Sequence, residues 1–308
     1  MMNLTVIKVR RHRILAWVRS ALLTLALSAC ASHPVLQNPP EPQPPAPKIP
    51  PKIGLALGGG AARGFAHVGV IQVLEEAGIH PDFIAGTSAG SFVASLYASG
   101  KTPLQLQQIA ENMEEASITD WTLPIFSRGM LKGEALARYV DNLVSNRLIE
   151  NMPTPLGIVA TDLNSGEGVL FRRGDTGVAV RASSAVPAVF LPVKIGNREY
   201  VDGGLVAPVP VRYARQMGAD LVIAVDISSL AEGNQTSDSL QVLLQTFTIM
   251  GKSINALELR DADVVVRPQL LGQKSTDFTA RKQAIEAGRS AMLQVLPALR
   301  AAIVAKTK

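Results

Sequence analysis

The chemistry-bearing residues of this chain begin with Ser88, which stands in Gly86-Thr87-Ser88-Ala89-Gly90. Apolar Phe83-Ile84-Ala85 precedes the motif and Phe92-Val93-Ala94-Ser95-Leu96-Tyr97 follows it. A serine between a strand and a helix sits on a tight turn that lifts its hydroxyl off the top of the sheet, and the flanking glycines let neighbouring backbone pass close by. The helix after it aims free N–H groups and a positive dipole end at the reacting centre. Gly-x-Ser-x-Gly also arises by chance in a glycine-rich chain, so the companions of the serine decide what it is.

A nucleophilic serine needs a base. The four histidines, at positions 12, 33, 67 and 80, all precede Ser88. An α/β-hydrolase orders its triad serine, acid, histidine along the chain, so that triad is excluded. His67 falls in the first expected helix and His80 in the turn before the second strand, places where a lone histidine is structural. The leading base is Asp202, in Tyr200-Val201-Asp202-Gly203-Gly204, where an apolar strand runs into two glycines. From spacing alone it reads equally as a plain Asp-Gly turn. A free aspartate, with a pKa of about 3.9, is a weak base toward an alcohol, so the role requires burial or hydrogen bonding to tune it.

A third group is the loop Gly58-Gly59-Gly60-Ala61-Ala62-Arg63-Gly64. Consecutive glycines let backbone N–H groups point at one anion, which is what an oxyanion hole requires, and Arg63 adds positive charge. A nucleotide P-loop needs Lys-Ser/Thr after its second glycine, whereas Phe65-Ala66 follows here. A dinucleotide fingerprint needs a glycine where Arg63 stands.

These residues must be positioned by elements that alternate along the chain. Strands are expected at Ile53–Leu57, Asp82–Gly86, Leu156–Thr161, Gly168–Phe171, Leu221–Asp226 and Val264–Arg267. Helices are expected at Phe65–Ala77, Ala89–Ser99, Pro210–Met217, about Ser239–Glu258 and from Thr279 onward. The alternation predicts an α/β fold, a three-layer sandwich with a largely parallel central sheet covered on both faces. Residues 53–308 suffice for one such domain. Between them, Trp121-Thr122-Leu123-Pro124-Ile125-Phe126 reads either as a greasy rim facing lipid or as an ordinary packed loop.

Taken together and in this order, the glycine loop with Arg63, the Gly86–Gly90 elbow and the Asp202-Gly203-Gly204 turn resemble the patatin-like phospholipases. The stretch Arg181-Ala182-Ser183-Ser184-Ala185-Val186-Pro187-Ala188-Val189-Phe190 looks like the segment that precedes the aspartate in that family. The resemblance covers roughly Lys52 to Ser228 and the remainder more loosely. It implies a Ser–Asp dyad without a catalytic histidine, acting on acyl esters of phospholipids or lysophospholipids. By that resemblance Ser88 is the nucleophile, Asp202 its base, and the amides of Gly59, Gly60 and Ala61 the oxyanion hole. Many relatives carry a fourth glycine where Ala61 stands; alanine there still offers its N–H if its φ is negative. No metal or other cofactor is implied.

The N-terminus reads as a targeting segment rather than as fold. Residues 1–29 hold Lys8, Arg10, Arg11, Arg13 and Arg19 and no acid, then the apolar run Ala21 to Leu27, too short to span a bilayer. The chain is formally +5 and this leader holds all of it, so the basic balance gives no support for a nucleic-acid partner. Cys30, the sole cysteine, follows Leu27-Ser28-Ala29 and resembles the lipidated cysteine of a bacterial lipoprotein. From Pro34 to Pro51 lie nine of the twenty prolines, so residues 31–52 are expected to form a semi-rigid tether behind that anchor. The expected location is the bacterial envelope, on the outer membrane facing the periplasm. Two other functions fit the same residues: a carboxylesterase on short soluble esters, and a non-catalytic lipid-binding envelope lipoprotein.

Overall fold

The computed structural model describes residues 48–121, 128–229, 236–274 and 276–308. The leader, Cys30, the tether as far as residue 47 and the apolar stretch 122–127 lie outside the described residues. Strand β1 (Ile53–Leu57) leads through a 3₁₀ turn (Ala61–Phe65) into α1 (Ala66–Glu76), then β2 (Phe83–Thr87), α2 (Ala89–Ala98) and α3 (Pro103–Asn112). The middle of the chain holds β3 (Gly129–Leu131), α4 (Glu134–Leu143), β4 (Leu156–Asp162), β5 (Gly168–Phe171) and α5 (Thr176–Ser183). Three short strands follow, β6 (Ala188–Phe190), β7 (Val193–Ile195) and β8 (Arg198–Asp202). The chain ends with α6 (Val211–Gln216), β9 (Leu221–Val225), α7 (Ser239–Glu258), β10 (Val264–Val266) and α8 (Arg281–Lys306).

The main sheet runs β10-β9-β1-β2-β4-β8-β7, with β5 also paired to β4. β10, β9, β1, β2 and β4 are mutually parallel. β5, β8 and β7 join antiparallel. Strands β3 and β6 form a separate parallel pair. Side chains alternate across the sheet with the period of two that a strand imposes. Leu55, Leu57, Ile84, Ile158, Ile223 and Val225 enter the larger core with residues of α1, α2 and α8. Ala56, Ala85, Val159, Val222 and Ala224 face the other way, against Tyr213, Ala214 and Met217 at α6. The layers are therefore helix, sheet, helix, with bulky residues on one face and small ones on the other. Burial on both faces leaves the parallel strands nearly uniformly apolar, as such sheets require.

The compact unit spans Lys48–Lys308 and so takes in residues 48–52, which the sequence assigned to the tether. Ile49 N–H donates to the Lys308 carbonyl (2.7 Å) and Lys308 N–H returns the bond (3.0 Å). Lys52 N–H donates to the Asp220 carboxylate at 3.0 Å. Among the described residues no helix is long and apolar enough to cross a membrane. Trp121 is 73% exposed and makes an isolated antiparallel bridge to Leu131.

Candidate active site

The site is set by the way two strands share one edge of β4. β5 occupies the other edge, opposite Ile158 to Thr161. On the shared edge, β2 pairs with β4 up to Thr87 opposite Val159. β8, running the opposite way, ends with Asp202 opposite Ala160. The two strands thus run toward each other and leave the sheet at neighbouring positions of β4. Ser88 follows the last residue of one, and Asp202 is the last residue of the other. Two residues far apart in sequence are brought together by ladder register alone.

Ser88 is held in a strained turn. Its backbone lies at φ 52°, ψ −124°, a region that costs a non-glycine residue about 1–3 kcal/mol and persists only where the surroundings over-determine it. Those surroundings are identifiable. Its carbonyl accepts from the N–H groups of Ser91 (2.8 Å) and Phe92 (3.2 Å), so α2 starts at once. Its own N–H donates to Ser183 Oγ (2.8 Å), and that hydroxyl donates to the Val159 carbonyl (2.5 Å). Gly90 lets the start of α2 press against the end of β1: a Cβ there would lie 2.1 Å from the Leu57 carbonyl oxygen. Sequence reasoning placed Ser183 only within a family-like stretch; its task, clamping the serine's amide to β4, is visible only in three dimensions.

Asp202 is 7% exposed. Its N–H donates to the Ala185 carbonyl (3.0 Å), and its carbonyl accepts from Thr161 Oγ1 (2.8 Å). The carboxylate accepts the Gly204 N–H at 2.6 Å, and the Ser88 side chain lies close enough to favour its ionised form. Burial pushes its pKa up to about 6, against the pull of these two neighbours toward the ionised form. The tuning that a basic aspartate needs is therefore present.

The glycine loop lies against the serine, since a Cβ on Gly59 would stand 3.1 Å from the Ser88 Cβ. Its amides divide differently from the expected set. Gly59 N–H donates to the Pro208 carbonyl at 2.9 Å, so it is committed to the fold and not available to an oxyanion. The amides of Gly60 and Ala61 have no acceptor among the described residues and open the 3₁₀ turn. Ala61 adopts φ +49°, where the sequence reading required a negative value, a backbone region that strains an alanine. Ala61→Gly is expected to raise stability by about 0.5–1.5 kcal/mol with hydrolytic activity retained, because it relieves that strain on an exposed residue. Chemical denaturation of the two proteins checks this, and a destabilised Ala61→Gly protein would contradict it.

Two side chains support the loop from behind. His67 is fully buried and its Nε2 donates to the Gly58 carbonyl at 2.8 Å, which leaves Nδ1 a bare acceptor with no partner. Burial lowers its pKa to about 4, so it is a neutral strut. Arg63 is also buried, and its Nε reaches the Gly60 carbonyl at 3.4 Å. Desolvation lowers its pKa to about 10 while the charge of Asp226, just beyond β9, works the other way, so the guanidinium stays charged at neutral pH. Among the described residues no group of three or more histidine, cysteine, aspartate or glutamate side chains is arranged to hold a metal ion.

The chain is similar to known proteins. The family model described as patatin-like phospholipase matches residues 55–215, which contain the loop, the elbow and the aspartate turn. An NTE family protein of Mycobacterium tuberculosis is 36% identical over 208 residues, 67% of this chain and 58% of the relative. Patatin-like phospholipase domain-containing protein 6 of Mus musculus is 35% identical over 189 residues, 58% of this chain and 14% of that one. The chain thus spans 46–58% of the length of the mycobacterial relatives it matches. VipD from Legionella pneumophila shares the fold, with a TM-score of 0.55 at 15% identity over 81% of this chain and 67% of that one. On the strength of the matched family region and the mycobacterial relatives, this chain belongs to the patatin-like phospholipase family.

Proposed function

We propose that this protein is a lipid acyl hydrolase that cleaves fatty-acyl esters of phospholipids or lysophospholipids through Ser88 and Asp202. The observation that carries the reading is the abutment of β2 and β8 on β4, which sets a strained serine beside a buried carboxylate whose pKa is raised to about 6. Such a carboxylate is ionised at neutral pH yet basic enough to take a proton from an attacking alcohol. Ser88 Oγ attacks the ester carbonyl carbon as its proton passes to Asp202. The oxygen of the tetrahedral intermediate is met by the amides of Gly60 and Ala61, each such donor being worth about 3 kcal/mol. The intermediate collapses to an acyl-enzyme, and the proton held on Asp202 goes to the departing alcohol or lysolipid. Water then enters and attacks the acyl carbonyl as it gives a proton to the same carboxylate; the second tetrahedral intermediate breaks its bond to Ser88 Oγ, which takes the proton back from Asp202 as the fatty acid leaves.

Family membership favours lipid esters over short soluble ones, because the matched model is described as a phospholipase. Hydrolysis of an ester series of increasing acyl length, followed by defined phospholipids and lysophospholipids, tests the reading. Rates are expected to rise with chain length and extend to the phospholipids. A steady fall beyond about four carbons would instead favour an esterase for small soluble substrates. Lipidation of Cys30 would hold the catalytic unit at an envelope membrane. Cys30→Ala is expected to release the protein from the membrane fraction and to abolish lipid labelling; retention without label would defeat that part of the reading.

A further inference from the structure

We infer that the exposed face of α7 is a lipid-docking surface that seats the Ser88 site on a neutral bilayer. The inference rests on the lipid-ester reading for its purpose, while the helix itself supplies the physical argument. The C-terminal end of α7 is fastened to the domain by polar side chains, while Leu240, Leu244, Phe247 and Ile254 are half-buried along its length. Asn255 accepts the Val209 N–H (3.1 Å) and donates to Ser228 Oγ (2.7 Å), and Glu258 pairs with Arg212. Asn255 and Glu258 are the only buried residues of this twenty-residue helix. From Ser239 to Gly251 there is no charged side chain, yet nothing in that stretch is buried. Val242, Leu243, Ile249, Met250 and Leu257 are 38–63% exposed. They recur at intervals of seven and so form one continuous stripe along the helix.

Three hydroxyls on or beside this stripe have their acceptors within the helix. Thr246 Oγ1 donates to the Val242 carbonyl (2.9 Å), Thr248 Oγ1 to Leu244 (3.1 Å) and Ser253 Oγ to Ile249 (3.3 Å). Hydroxyls satisfied within their own helix can enter an apolar medium without losing a partner. The helix that carries the stripe is a neighbour of the site, because α7 packs on the turn Gly203–Leu205 that directly follows Asp202. A helix pairing with a second copy is set in register by flanking charges, and α7 offers only Lys252 besides the already paired Glu258. A lipid surface demands no register. The lack of a basic face further implies binding driven by apolar burial, indifferent to salt and to anionic lipid.

The test uses the full chain carrying Cys30→Ala, so that no acyl anchor contributes, and phosphatidylcholine vesicles. Adding Leu243→Gln, Ile249→Gln and Met250→Gln is expected to reduce vesicle partition by at least roughly ten-fold, with salt-independent binding in the parent. Hydrolysis of a soluble short-chain ester should remain within about two-fold of the parent, which shows that the fold is intact. In the same background Met250→Cys becomes the only cysteine, and a polarity-sensitive fluorophore there should shift to the blue when vesicles are added. Unchanged partition of the triple variant, or no spectral shift, overturns the inference. A parent that sediments as a dimer and a triple variant that sediments as a monomer, with equal vesicle binding, overturns it in favour of a second copy. If no ester is hydrolysed but the parent and its Ser88→Ala form dock equally through α7, the docking surface stands and the hydrolase reading falls.

Discussion

Ser88→Ala is expected to lower ester hydrolysis by at least ~10³-fold while leaving thermal stability near that of the parent. The loss follows because alanine has no hydroxyl to attack the carbonyl, and Ser183 Oγ, which accepts the Ser88 N–H, already donates to the Val159 carbonyl. The stability is retained because alanine keeps the Cβ, and with it the cost of φ 52°, ψ −124°. Ser88→Gly separates the two quantities. It should be equally inactive, yet more stable by about 1 kcal/mol or more, since glycine adopts this backbone without strain. Activity and thermal midpoint measured on the three proteins decide the matter. Appreciable hydrolysis by Ser88→Ala would remove the serine from the mechanism. Equal midpoints for the alanine and glycine variants would remove the strain from the account of the elbow.

How much of this was legible in the sequence depended on how local each interaction is. The elbow, the glycine loop and β1, β5 and α7 could be placed from residue type and period because turns and amphipathic runs are short-range features. α3 carries a signal readable in the sequence: Thr102 and Gln105 form a capping box around Pro103 at the first turn. α5 likewise opens on Asp175, whose side chain accepts the Val178 N–H. What could not be read is register. Nothing local tells that Thr87 and Asp202 end opposite adjacent residues of β4, so the sequence left Asp202 balanced between base and plain turn. The same holds for Gly59, whose amide is taken by Pro208, a residue from the far side of the domain's sequence. Ala61 misled for a different reason: alanine argues for negative φ, and tertiary structure overrode that preference in the loop that lies against the serine.

Asp202→Asn carries the second large effect, and its two parts have opposite signs. Activity should fall by at least ~10³-fold, because an amide cannot accept the serine's proton. In the parent, kcat/KM should decline below about pH 6 as the buried carboxylate takes up a proton. Stability should move the other way. The folded pKa of about 6 lies above the value near 3.9 expected in the unfolded chain, so the native state holds this proton more tightly than the unfolded state does. Ionised Asp202 therefore opposes folding above pH 6 by up to ~3 kcal/mol, a cost that shrinks between pH 6 and 4 and vanishes below. Asparagine is neutral throughout and can still accept the Gly204 N–H through Oδ1. The variant should thus be more stable than the parent by about 1–3 kcal/mol at pH 8 and by little or nothing at pH 4. Denaturant unfolding at both pH values measures the difference directly. A variant that gains no stability at pH 8 would show that Asp202 is ionised without penalty, and a carboxylate so well solvated would be too weak a base for the serine beside it.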